Sequence, residues 1–334
     1  MVNRFSKLKL RAGRVLRNRV VVPPMASATA DEFGFVTAKT LEHYARLAEA
    51  ESGLLFAEYS FVDVSGKSED NQLGVSADQQ ITGLAQLAAV MKSRGAVAGI
   101  QLTHSGGKSD LKLTAGQLMG PSGIAVPVKD RQLEVPKIMN REDIELWKRS
   151  FADAVDRAVL AGFDVVEFHA AHGDGLNQWP SPITNQRQDE YGVTLIGRMK
   201  MLFDIVVAAR KIHPALVLSV RMPGQDFFAG GLSVDDSIQV AKLLAQAGVD
   251  ILNISSGIGG WRRPSTRVGQ GYLVDEAAGI QAAVKVPVIG VGGIESGDYI
   301  DQALAEGRFA LAAIGRAILS GPAEWAGRNL VATI

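Results

Sequence analysis

The 334-residue sequence contains no cysteine. That one absence excludes disulfides, thiolate nucleophiles, cysteine-ligated zinc and cysteine-held iron–sulfur clusters. Net charge is missing too, since 35 Lys and Arg balance 35 Asp and Glu. Nothing in the composition would therefore draw the chain to nucleic acid or to an anionic membrane. No apolar run reaches the roughly 18 residues needed to span a bilayer. The basic start, MVNRFSKLKLRAGRVLRNR, lacks the continuous apolar stretch of a secretory signal. Its alternating Phe5, Leu8 and Leu10 suit a short hairpin, and the expected location is cytoplasmic.

What is present is an ordinary globular composition, 47% apolar and 21% charged. Short β-branched runs occupy 19–24, 53–59, 96–102, 163–170, 216–222, 249–255, 286–293 and 310–316. Each precedes an amphipathic stretch: 38–52, 79–94, 140–161, 195–212, 233–247, 273–284, 296–306 and 322–332. Near-continuous apolar runs are how buried parallel strands read. The expectation is one α/β domain over 1–334, a (β/α)8 TIM barrel with a short N-terminal hairpin. An open doubly wound sheet is disfavoured, because no G-x-G-x-x-G follows the first strand. The long segment 104–139 is expected to be a capping insertion after strand 3.

Barrel chemistry sits at the C-terminal ends of strands. Those ends carry Pro24 and Met25, Glu58 and Tyr59, Gln101, His169 with His172, Arg221, Ser255, Gly292 and Gly293, and Gly315 with Arg316. Glycines after the last two strands let backbone N–H groups approach a phosphate, and Arg316 adds charge. Arg221, buried in a barrel mouth, needs an anionic partner, with Asp226, Glu167 or a ligand available. His169 and His172, with Asp174 close by, have a spacing that raises a metal site. They lack the helical i, i+4 face of the familiar zinc motifs, so no metal is expected. A structural pair, or donors to a substrate carbonyl or carboxylate, are the other readings.

The segments NRVVVPPM, GIQLTHSG, FDVVEFHAAHGDGLNQWPSPITNQRQDEYG, SVRMPGQD, GVGGI and AIGRA resemble the Old Yellow Enzyme family of FMN-dependent ene-reductases and NADH:flavin oxidoreductases. The resemblance covers essentially the whole chain. It implies FMN as cofactor, with NADH or NADPH as co-substrate. The flavin would lie against Pro24, Met25 and Ala26, near Tyr59, with Gln101 on its pyrimidine edge and Arg221 near N1 and O2. Gly292, Gly293, Gly315 and Arg316 would hold its phosphate. His169 and His172 would bind the oxygen of a small enone-like substrate.

The sequence also departs from that family. Asp174 stands where the family has a proton-donating tyrosine, and would donate only if burial kept it protonated. Ala26 replaces a Cys or Thr that bonds the flavin, and Gly106-Gly107-Lys108 stands where the family has a glycine–arginine pair. Three functions are compatible: an ene-reductase, a flavin-dependent dehydrogenase, dealkylase or nitro/quinone reductase, and a non-catalytic FMN-binding sensor or assembly subunit. A small-molecule substrate is expected, and a homo-oligomer is compatible with the sequence.

Overall fold

The computed structural model describes residues 1–114, 116–128 and 132–331. Eight parallel strands close a barrel: β1 (Val20–Val22), β2 (Leu54–Phe61), β3 (Val97–Thr103), β4 (Val165–His169), β5 (Val217–Pro223), β6 (Ile251–Ser255), β7 (Val288–Gly290) and β8 (Leu311–Ala313). Closure is made by Ala312 pairing with Val20 and Ala313 with Val21. Each strand leads into a helix: α1 (Ala38–Ala48), α2 (Ile81–Lys92), α3 (Arg141–Leu160), α4 (Leu195–Ile212), α5 (Val234–Gln246), α6 (Val274–Ala283), α7 (Gly297–Ala305) and α8 (Pro322–Asn329). This is the (β/α)8 architecture.

Strand residues two apart share a face. Val165, Val217 and Ile251 belong to an apolar cluster inside the lower barrel, with Leu54, Phe56 and Leu311. The N-terminal hairpin, Leu8–Lys9 with Val15–Leu16, contributes Leu10 and Leu16 to that cluster and so closes the barrel's floor. Two residues further up stand Glu167, Ser219 and Asn253, and two more up stand His169, Arg221 and Ser255. The interior thus changes from oily to polar along the strands' own alternation, which is what puts chemistry at one end.

Helix boundaries follow local signals. Asn140 and Ser233 make capping boxes with Asp143 and Asp236. Strand β7 is shorter than the apolar run around it. The backbone leaves the β region at Gly292 (φ 125°) and Gly293 (φ 66°), where a ladder cannot continue. Within 104–139, Met119–Gly120 pairs in parallel with Lys137–Ile138, and Val126 and Leu133 pack on Ile258 beyond β6. Positions 115 and 129–131 of that segment lie outside the described residues, as does position 332 of the helix expected over 322–332. Among the described residues no helix is long and apolar enough to cross a membrane.

Candidate active site

The polar part of the barrel begins at Glu167, which is fully buried. Its carboxylate accepts hydrogen bonds from Gln101 Nε2 at 2.8 Å, Ser219 Oγ at 2.7 Å and Asn253 Nδ2 at 3.0 Å. Burial raises its proton affinity, opposed by the charge of Arg221 and by these donors. One consequence reaches Gln101. A carboxylate can only accept, so the amide nitrogen is committed to Glu167 and the amide oxygen is left as the acceptor.

Above this layer, His169 is the register partner of Arg221, and Arg221 that of Asn253. A left-handed residue, His172 (φ 63°), turns the chain back so that its ring lies 5.0 Å from that of His169. His172 Nε2 is 2.6 Å from Ser255 Oγ. Both imidazoles are buried, and desolvation, together with the charge of Arg221, lowers their pKa values below that of a free histidine. They are neutral at pH 7. Arg221 is equally buried; among the described residues its Nε has no partner, and neither has His169 Nδ1.

Asp174 completes the group. Its Oδ2 sits 2.9 Å from Lys108 Nζ and 3.2 Å from His169 Nε2. Burial alone would favour the protonated acid, but Lys108 and His169 outweigh it and bring the pKa down to about 2. Asp174 is therefore a carboxylate at neutral pH, the opposite of the protonated state that an acid role requires. Because a carboxylate cannot donate, the proton in its bond to His169 belongs to Nε2.

The cofactor candidates fall into two places. Beyond β1, Pro24 is buried, Met25 half-buried and Ala26 exposed, and the Tyr59 ring lies 6.2 Å from that of His169. Beyond β7 and β8, Gly293 and Arg316 line a cavity of about 400 Å³ with Arg263, Gln270 and Tyr272. The other two glycines do different work. Gly292 presents its carbonyl to the N–H groups of Gly271 and Tyr272, and an added Cβ would meet Leu273 N at 2.8 Å. A Cβ on Gly315 would lie 3.3 Å from Met25 Sδ, so this glycine abuts the β1 loop. An anionic ring system with a phosphate tail suits this set: a guanidinium with its Nε left over, an amide acceptor, and a glycine-walled cavity with cationic side chains.

Asp226 is not the partner of Arg221. It accepts from Ser181 Oγ and from the N–H groups of Leu232 and Ile258. The acids whose charge offsets Arg221 are Glu167 first and then Asp174. Sequence reasoning underrated Glu167 and Lys108. The first had a signal, a carboxylate two residues before His169 in an otherwise apolar run, hence pointing inward. A third carboxylate, Glu58, is buried and accepts from Ser27 N at 2.9 Å and from Ser27 Oγ at 2.5 Å. Desolvation lifts its pKa to about 7.

Residues 5–328 match the model of the NADH:flavin oxidoreductase / NADH oxidase family. A relative named NADPH dehydrogenase from Geobacillus sp. (strain WCH70) is 35% identical over 319 residues, spanning 95% of this chain and 91% of the relative. The NADPH dehydrogenase of Bacillus subtilis (strain 168) is 35% identical over 308 residues, covering 92% and 88%. Among solved structures, an old yellow enzyme homologue from Zymomonas mobilis superposes with a TM-score of 0.83 at 22% identity, over 96% of this chain and 90% of that one. The chain belongs to the NADH:flavin oxidoreductase / NADH oxidase family, FMN-dependent oxidoreductases that use a nicotinamide co-substrate.

Proposed function

We propose that the protein is an ene-reductase, using NADH or NADPH to reduce the activated C=C bond of a small enone-like substrate. The observation that carries this reading is the pair of neutral histidine rings 5.0 Å apart, one of them in register with Arg221. FMN, when bound, would supply hydride transfer. Pro24, Met25, Ala26 and Tyr59 would wall the ring, Gln101 would accept at its pyrimidine edge, and Arg221 would offset charge there. Gly293 and Arg316 would hold the phosphate, with Gly292 and Gly315 shaping the strand ends around it. His172, with Nε2 accepting from Ser255 Oγ and Nδ1–H left to donate, would bind the substrate's oxygen, His169 would orient the substrate by packing on it, and the walls of the mouth would exclude water.

Binding of a phenol, a mimic of the substrate's oxygen, to the FMN-loaded protein tests the pair. His172→Ala should weaken it about 10-fold or more, as loss of a buried hydrogen bond does, and His169→Ala should weaken it less, through lost packing. Unchanged affinity in both would remove the histidines from the substrate site.

The ionised Asp174 favours a second reading. A quinone or nitro acceptor takes up electrons without any carbon being protonated, and a carboxylate at this position would not obstruct that. Turnover of quinones without turnover of enones would select it.

A further inference from the structure

We infer that Lys108 delivers the proton that completes reduction of the substrate's double bond, and that Asp174 is the positioning residue that holds it there. The inference rests on the ene-reductase reading above. It starts from the shared oxygen. Asp174 Oδ2 bonds both Lys108 Nζ, at 2.9 Å, and His169 Nε2, at 3.2 Å, so a single carboxylate oxygen sets the ammonium beside the ring proposed to orient the substrate.

The chain is shaped to bring it there. After β3, Gly106 takes a left-handed conformation (φ 61°), and a Cβ on it would lie 2.8 Å from Gln178 Oε1. The N–H of Gly107 then donates to that same oxygen at 3.1 Å. This close approach lays the start of the insertion against the turn that carries Asp174. The Lys108 side chain is 18% exposed, against 3% for Asp174, so water can return a proton to the amine.

The alternatives in the mouth are spent. Asp174 carries no proton to give. His169 and His172 are neutral, and the Nε2 proton of His169 is committed to Asp174. Burial and the charge of Glu69 hold the Tyr59 phenol in its neutral form and make it a weaker acid than a free phenol. The step balances simply. Hydride adds to the β-carbon at the expense of the reduced cofactor, the Nζ proton bonds to the α-carbon, and the π bond is lost. The neutral amine then regains a proton from solvent.

The test uses the FMN-loaded protein, NADPH, an α-substituted cyclohexenone and benzoquinone, with the enone run in D2O. Lys108→Met should lower enone turnover by about 10²- to 10⁴-fold, the usual share of a positioned proton donor, while quinone turnover changes by a few-fold at most. Deuterium, placed on one face of the α-carbon by the unaltered protein, should scramble between faces in the variant. Ethylammonium should partly restore enone turnover to Lys108→Ala. Equal loss for both acceptors, or retained facial selectivity, would overturn the role. A wild-type protein that reduces benzoquinone but no enone overturns the ene-reductase reading itself, and this role with it.

Discussion

One oxygen of Asp174 serves two nitrogens, Lys108 Nζ at 2.9 Å and His169 Nε2 at 3.2 Å, inside the barrel mouth. The arrangement fixes the sign of the site: a permanent carboxylate lies between an ammonium and a neutral imidazole. The acid that the sequence offered as a proton donor is thereby turned into an organiser of donors.

The first prediction concerns acid stability. The folded-state pKa of Asp174, about 2, lies below its ordinary 3.8. Its contribution is therefore present above about pH 4 and is lost as pH falls toward 2. Urea unfolding followed between pH 5 and 2 should show Asp174→Asn losing less stability than the wild type, by about 2 kcal/mol. Parallel curves for the two proteins would contradict the pairing.

Glu58 predicts the opposite slope. Its pKa is raised from 4.5 to about 7 in the folded chain, so stability is full below pH 4.5 and declines as pH rises through 7. Glu58→Gln keeps the neutral form at all pH values. Thermal midpoints measured from pH 5 to 8 should fall for the wild type and stay flatter for the variant, a difference of about 3 kcal/mol. A variant that tracks the wild type would place Glu58 in water.

Inside the barrel, Glu167 satisfies Gln101, Ser219 and Asn253 at once. Glu167→Ala should strand all three donors and cost about 3–5 kcal/mol in chemical denaturation. Glu167→Gln, which keeps acceptor capacity on one oxygen, should cost less. Equal losses would mean that volume, not hydrogen bonding, sets the value of this side chain.

Much of this was legible in the sequence, for physical reasons. Parallel strands buried on both faces read as apolar runs, so all eight were visible. Alternation along FDVVEFHA carries Glu167 and His169 on one face, although their joint role was not read from it. Strand length was not legible at β7, where Gly292 and Gly293 divert the backbone inside an apolar run. The charge state of Asp174 was not legible either, because Lys108 lies 66 residues away in sequence. Glu58 meets Ser27 across 31 residues for the same reason. Side-chain chemistry set by long-range partners is invisible to a local pattern.

The phosphate assignment yields a ligand-based prediction. Arg316→Ala should weaken FMN about 10- to 100-fold, the value of a charge-assisted hydrogen bond, and leave riboflavin affinity nearly unchanged. Flavin fluorescence titration of the flavin-free protein measures both. Equal weakening of the two ligands would take Arg316 away from the phosphate.

The most direct test of the whole account is anaerobic flavin spectroscopy of the purified protein. The account predicts the visible absorbance of a bound flavin, bleached by NADPH and restored on adding cyclohexenone, with cyclohexanone formed. A colourless protein that takes up no FMN, or a flavin bleached by NADPH that cyclohexenone never restores, would contradict it.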